Sequence, residues 1–419
     1  MKNIRLLALC AVISIIAANL IGAAEVATVR VAFWGGNEDL AVNTKAAQAF
    51  EAKNPGIKIK IEHIPSDYDT KLMTMLAAGN APDVVQQAEG IAVLAKKGAL
   101  IPLDGFIRQD KLDLQVYFPT VLQAYQVDKA QYGLPHRWGP MVVYYNRKIF
   151  REAGLSAPKK DWTWADFRQA CLKTTKGEGA NRVWGFACAG TWWPWYMVPI
   201  MSFGSPILNE DRNAPAFDKE KAAKALEFLH DLIWKDRVNP TPAEMSAYQM
   251  GNDQLFEAGK VAMNMTGFWA INGLLKSGIE WDVAWMPKGE RQVTTMFGAC
   301  WAMTKDARNK NAAWKVLKFF AGPEYAKILA EAGHDIPSII KVAYSPTFLN
   351  RKNGPSEKTL RTIIDMVSIA EYPPISEKWN VLNDVTWPIV EKYYKNEIPS
   401  ARAAIEEMEA AIRKGFALQ

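Results

Sequence analysis

Apolar and polar positions follow two alternating periods through the first half of the chain. "VRVAFW" (29–34) is β-branched and aromatic and stops at Gly35-Gly36, which predicts a strand. "LAVNTKAAQAFEAKN" (40–54) predicts a helix with Ala47, Phe50 and Glu51 spaced on one side, ended by Asn54-Pro55-Gly56. "IKIKIEHI" (57–64) alternates as a half-exposed strand, and "DYDTKLMTMLAAGN" (67–80) predicts a helix with Leu72, Met75 and Leu76 inward. "DVVQQ" after Pro82 is a third strand. Strand–helix–strand–helix–strand implies parallel pairing with right-handed crossovers. Ligands in such open sheets collect at the carboxyl ends of the strands. Those ends are Trp34–Asn37, Pro65–Tyr68 and Gln86–Glu89.

Further along, "MVVYYN" (141–146), "WDVAWMP" and "TTMFGACWAMT" have strand character. Residues 162–171 and 220–236 predict helices, the second with Ala222, Leu226, Leu229 and Ile233 at helical spacing. From about 355 the chain is mostly helical, ending in "SARAAIEEMEAAIRKGF" with Ser400 as N-cap and Gly415 as the stop. No internal repeat or low-complexity linker interrupts it.

The first residues carry a different pattern. Lys2 and Arg5 precede a mainly apolar run from Leu6 to Ile21, followed by Gly22-Ala23-Ala24. This predicts a secretory signal peptide over residues 1–24, cleaved after Ala24, and an exported protein. Cys10 lacks a small residue just before it, which argues against a lipid-modified cysteine. Loss of Lys2 and Arg5, with no acid, takes the formal charge from +6 to +4. The basic residues are scattered among acids, so no nucleic-acid face is expected. Cys171, Cys188 and Cys300 remain, in no metal or redox spacing; a Cys171–Cys188 disulfide is open, with buried thiols the favoured reading.

Catalytic patterns are missing. The four histidines form no H-x-x-x-H or H-E-x-x-H, there is no G-x-S-x-G or phosphate-binding G-x-x-x-x-G-K-[ST], and no carboxylate pair is singled out by spacing. Aromatic residues are conspicuous instead, with 16 tryptophans. "TWWPWY" (191–196) crowds three of them around Pro194, which predicts a bend entering a helix. Neighbouring side chains cannot all face one core, so some of this surface is free for a ligand. "GFWAING" (267–273) sets Trp269 just after a strand, with Gly267 letting the chain turn; Trp34 ends the first strand. "PHRWGP" holds Arg137 and Trp138 between prolines. Trp162, Trp164, Trp234, Trp281, Trp285 and Trp314 fit core or helix faces.

The ordered series "AFWGGNED", "AFEAKNPGIKIKIEHIPSDYDTKLMTMLAAGNAPDVV", "GALIPLDGFI", "YGLPHRWGPMVVYYNRKIFREAG", "LFEAGKVAMNMTGFWAI" and "NAAWKVLKFFAGPEYAKILAEAGHDIPS" resembles the solute-binding proteins of ABC-type sugar importers, the maltose-binding-protein-like family. The resemblance spans nearly the whole chain after the leader. It implies a two-domain α/β fold of the type II periplasmic-binding-protein class, with hinged lobes and three interdomain crossings. These would fall near Gly133–Trp138, Val283–Pro287 and Ile339–Val342, giving one lobe of 25–134 and 288–339 and another of 135–287 and 340–419. By the family's pattern the ligand-binding residues become Trp34, Asn37, Gln87, Glu89, Arg137, Trp138, Trp192, Trp193, Trp269, Gly298 and Trp379. Gln87 stands where maltodextrin binders often carry an aromatic residue, which argues against a maltodextrin.

The resemblance further implies a monomeric periplasmic protein without enzymatic activity, cofactor or metal. It would carry a sugar or oligosaccharide to membrane permease subunits. Physical chemistry agrees: tryptophan faces cover the C–H faces of a pyranose, and Asn, Gln, Glu and Arg serve its hydroxyls. Trp195 or Tyr196 would then brace the "TWWPWY" platform from behind. Two other readings stay open: an acidic ligand (a uronate or glycerophosphodiester) received by Arg137, His136 and His334, and an exported carbohydrate-active enzyme.

Overall fold

The computed structural model describes residues 26–188, 192–333, 335–373 and 378–418. The predicted leader, the mature start at Glu25, Thr191 and His334 lie outside the described residues. Two sheets organise the rest. Besides a short hairpin of Gln126–Val127 with Ala130–Gln131, the strands of these two sheets in chain order are β1 (Ala27–Phe33), β2 (Ile57–His63), β3 (Val84–Gln87), β4 (Gly133–Pro140), β5 (Val142–Asn146), β6 (Trp184–Phe186), β7 (Val261–Thr266), β8 (Trp281–Ala284), β9 (Thr294–Met303), β10 (Ile336–Pro337) and β11 (Ala370–Glu371). The larger sheet runs β10-β4-β9-β3-β1-β2, with β11 beside β9, and the smaller runs β8-β5-β7-β6.

The opening alternation folds as parallel units. Strand β1 pairs in parallel with β2, from Ala27 against Ile57 to Phe33 against His63, and with β3 through Val31 and Val84. Val29, Val31, Ala32 and Phe33 are all buried, as expected of a strand covered on both faces. Strand β9 then closes antiparallel on both β3 and β4.

The helix α1 (Asn37–Lys53) starts three residues before the predicted Leu40. The Gly36 N–H donates to the Asp39 carboxylate (2.9 Å), which satisfies a donor that the first turn leaves without an intrahelical partner. Its buried face is Asp39, Val42, Asn43, Ala46, Ala47 and Phe50. Glu51, expected on the same side as Ala47 and Phe50, is half-buried and accepts from the Ile59 N–H (2.7 Å) and Lys58 Nζ (2.9 Å), tying α1 to β2. The next helix, α2 (Tyr68–Ala77), buries Leu72, with Met75 and Leu76 partly covered.

Around the smaller sheet, helices α3 (Trp164–Thr174), α4 (Pro194–Ser202), α5 (Lys219–Trp234), α6 (Trp379–Tyr394) and α7 (Ala401–Ala417) share one apolar core. Ser400 Oγ caps α7, accepting from the Ala403 N–H (3.1 Å). Gly415 does not stop that helix; it lies inside it. A Cβ there would come within 2.6 Å of Val381, so the glycine serves close packing of α7 on α6. Trp234, assigned to a helix face, is 40% exposed at the end of α5 and donates its Nε1–H to the Tyr394 carbonyl (2.9 Å). Cys171, Cys188 and Cys300 are free and buried, and burial pushes each thiol pKa up, which keeps the sulfurs protonated and inert.

Only Met141 separates β4 of the larger sheet from β5 of the smaller. Residues 285–293 make the return from β8 to β9. A further apolar cluster bridges the sheets, joining Trp138 and Met296 to Val142, Tyr144, Phe268 and Trp285. Among the described residues no helix is long and apolar enough to cross a membrane.

Candidate functional site

Three strand ends of the larger sheet converge on one cleft. Trp34 and Gly35 follow β1, Asp67 and Tyr68 stand at the start of α2 after β2, and Ala88 and Glu89 follow β3. A cavity of about 320 Å³ is walled by the first and last of these, by Arg137 and Trp138 of β4, by Phe297 and Gly298 of β9, and by Phe268 and Trp269 beyond β7. A second cavity of about 460 Å³ adjoins it, sharing Trp34, Ala88 and Glu89. Both sheets therefore contribute walls, as the strand-end rule anticipates.

The apolar wall is built from rings. Pro194 opens α4 at its first position after the N-cap Trp193, and Trp192 precedes that cap in the chain. Trp192 stacks on Phe297 with centroids 5.3 Å apart and planes at 16°. Trp269 stands edge-on to both, 5.8 Å from Trp192 and 5.0 Å from Phe297. It is 44% exposed, a large apolar surface held open beside a cavity. Trp195 braces Trp192 edge-on at 5.3 Å and donates its Nε1–H to the Met265 carbonyl (2.8 Å). Gly267 is extended backbone that any residue adopts, so its role is not the turn. A Cβ there would lie 2.1 Å from the Trp269 ring, so the glycine leaves space for the indole. Gly298 acts similarly: a Cβ would meet the Tyr125 hydroxyl at 2.8 Å and the Arg137 carbonyl at 2.9 Å.

The polar wall centres on Arg137, whose Nη1 pairs with Asp39 Oδ1 (2.5 Å) and Asp335 Oδ2 (2.9 Å). Burial alone would pull its pKa down, but the Asp335 and Asp39 carboxylates hold it above the ordinary value. The guanidinium also sits 5.7 Å from the Trp34 ring. Behind it, the Trp34 N–H donates to Gln86 Oε1 (3.1 Å), and the Gln86 amide reaches His136 Nε2 (3.1 Å). Burial and the Arg137 charge push the His136 pKa well down, so the imidazole is neutral and its Nε2 accepts. It is stacked on Trp301 at 5.0 Å, inside the protein. Burial first, and the charge of Asp69 after it, raise the pKa of Glu89.

Of the residues expected at the site, Trp34, Glu89, Arg137, Trp138, Trp269 and Gly298 line the cavity and Trp192 backs it. Trp138 is 1% exposed, its ring packed on Phe118 at 4.9 Å, so it is more wall than platform. The structure does not bring four others there. Trp193 and Trp379 pack against each other at 5.1 Å in the core, because the first turn of α4 directs Trp193 inward. Gln87 is buried in β3 with its amide donating to the Gln86 carbonyl (2.8 Å). Asn37 is exposed at the start of α1, off the cavity wall. Asp39, Asp335 and Phe297 are wall residues that the sequence reading did not pick. Asp39 had one usable signal, lying three residues beyond the Gly36 that precedes α1.

A family model described as bacterial extracellular solute-binding protein matches residues 45–353. The chain belongs to this family. As a member of it, the protein resembles the maltotriose-binding protein of Pyrococcus abyssi, at 26% identity over 341 residues (78% of this chain, 70% of the relative). It also resembles the sn-glycerol-3-phosphate-binding periplasmic protein of Escherichia coli, at 25% over 355 residues (78% and 77%). Among solved structures, the ABC substrate-binding protein Lmo0181 from Listeria monocytogenes, in complex with cycloalternan, superposes with a TM-score of 0.82 at 26% identity, covering 93% of this chain and 98% of that one. This solute-binding protein has the α/β fold of type II periplasmic binding proteins.

Proposed function

We propose that the protein is the exported substrate-binding component of an ATP-driven importer. It captures a sugar or oligosaccharide in the cleft, closes over it and delivers it to membrane permease subunits. The observation that carries this reading is the exposed Trp269 ring beside Phe297 and Trp192, facing a cavity whose other walls hold Glu89, Asp39 and Arg137. An apolar plate opposite carboxylates suits a pyranose, with its C–H faces and hydroxyl rim. The saccharides of the Pyrococcus and Listeria relatives, maltotriose and cycloalternan, support it.

The lobes of this reading are 25–134 with 288–339 and 135–287 with 340–419, after a leader cleaved at Ala24. The single-residue passage between the sheets at Met141, just past the crossing expected at Gly133–Trp138, supports a hinge, since few torsions need to change there. An anionic ligand is favoured by the name of the E. coli relative. Against it, Arg137 already carries two carboxylates and His136 is neutral and buried.

A thermal-shift panel of mono- and oligosaccharides, uronates and glycerophosphodiesters tests the reading. A saccharide at a hundredfold excess over Kd should stabilise by about 2.7 kcal/mol. The same saccharide should shrink the radius of gyration in small-angle scattering. Stabilisation by glycerophosphodiesters alone, or hydrolysis of an added oligosaccharide, would count against it.

A further inference from the structure

The charge balance of the cleft narrows its occupant. Five carboxylates and one guanidinium line the two adjoining cavities: Asp39, Asp335 and Arg137 in the first, Asp67 and Asp69 in the second, and Glu89 between them. Arg137 is engaged by Asp39 and Asp335. Among the described residues no other Lys or Arg lines either cavity. Glu89 is half-buried and shares the wall of the second cavity with Asp69, whose charge, of the same sign, acts on it. A desolvated carboxylate beside a second acid lacks the counter-charge that usually accompanies such burial. Hydroxyl groups could donate hydrogen bonds to these acids, but they would leave the charge uncompensated. The aromatic faces nearby favour cations as well, as Arg137 over Trp34 already shows.

We propose that the ligand carries positive charge: an amine-bearing saccharide whose ammonium group sits against Glu89 and Asp69 while its sugar faces meet Trp34 and Trp269. This rests on the saccharide reading above and adds the charge of the ligand to it.

Titration calorimetry with a trimer of glucosamine, its fully N-acetylated counterpart and maltotriose tests the inference, at a pH where the amines are protonated. The two glucosamine trimers differ in charge at the same ring and linkage. The free-amine trimer should bind more tightly than the acetylated one by on the order of tenfold or more. The gap should narrow as salt rises. Glu89→Gln should bring the two toward equal affinity. Asp69→Asn, at an exposed position, should do so in part and guards against misfolding of the first variant. Equal or tighter binding of the acetylated trimer or maltotriose overturns the charge inference and leaves the saccharide reading standing. Binding by none of the three saccharides overturns both.

Discussion

Trp192 and Phe297 lie face to face, 5.3 Å apart, although one precedes α4 at the smaller sheet and the other belongs to β9 of the larger. The pair forms the back of the plate on which Trp269 stands. If that plate holds the sugar, Phe297→Ala removes part of it and the support of Trp192 together. Affinity for the saccharide selected in the thermal panel should fall about tenfold to a hundredfold, from roughly 1–3 kcal/mol per lost aromatic contact. The stability cost should stay below the roughly 3–5 kcal/mol of a fully buried ring, because Phe297 is half-buried. Trp193→Ala, in the core against Trp379, should show that larger cost. Calorimetry and urea denaturation on both variants check the contrast; unchanged affinity in Phe297→Ala removes the plate from the mechanism.

Trp269 and Gly267 make a second, linked test. Trp269→Ala should weaken saccharide binding about tenfold to a hundredfold and change stability little, since the ring is 44% exposed. Gly267→Ala keeps the indole but puts a methyl group where its six-membered ring lies. The backbone there tolerates alanine, so any loss reports displacement of the ring. Its affinity should approach that of Trp269→Ala, with tryptophan fluorescence shifted. Wild-type affinity in Gly267→Ala would mean that the ring position does not matter.

Local patterns made much of this legible. The strand-helix alternation gave the three converging strand ends, and Trp269 announced itself as an aromatic residue just past a strand. The same reasoning could not separate Trp192 from Trp193. Neighbours at a helix entry point in different directions, and only the seating of α4 against α6 decides which one is buried. Phe297 was hidden because one apolar residue in a buried ten-residue strand looks like its neighbours. Asp39 and Arg137 meet across 98 positions, a distance at which no spacing rule selects one acid from 44. Gly415 does not end its helix for a related reason: its role depends on Val381, a contact made by tertiary packing.

Glu89 predicts a pH dependence of fixed sign. Its pKa is raised by burial and by Asp69, so the folded protein holds the proton more tightly than the unfolded chain. The stability this group contributes is complete below the unfolded carboxyl pKa and is lost as pH rises through the folded one. Glu89→Gln cannot ionise. It should therefore be more stable than the parent at about pH 7, with the difference closing toward about pH 4. Denaturant unfolding of the ligand-free proteins across that range is the measurement. A difference that widens in acid would show that Glu89 is held ionised by a partner.

Arg137 joins α1, β4 and the residue before β10 through two carboxylates, all three groups largely withdrawn from water. Removing the cation takes from two acids the guanidinium that they share. Arg137→Met should cost about 3–5 kcal/mol, the usual range for breaking a buried pair from one side. It should also loosen Trp34, which loses its cationic neighbour at 5.7 Å. Neutralising the acids in the same background, with Asp39→Asn and Asp335→Asn, should recover a large part of the loss, since buried charges replaced together cost far less than one removed alone. The asparagine at 39 can still accept from the Gly36 N–H, so the start of α1 survives the change. The three residues couple, so the single-variant effects should fail to add, and a full mutant cycle by urea denaturation measures the shortfall. Additive costs would instead mean that Arg137 stabilises the protein through packing of its stem, with the two ion pairs contributing little.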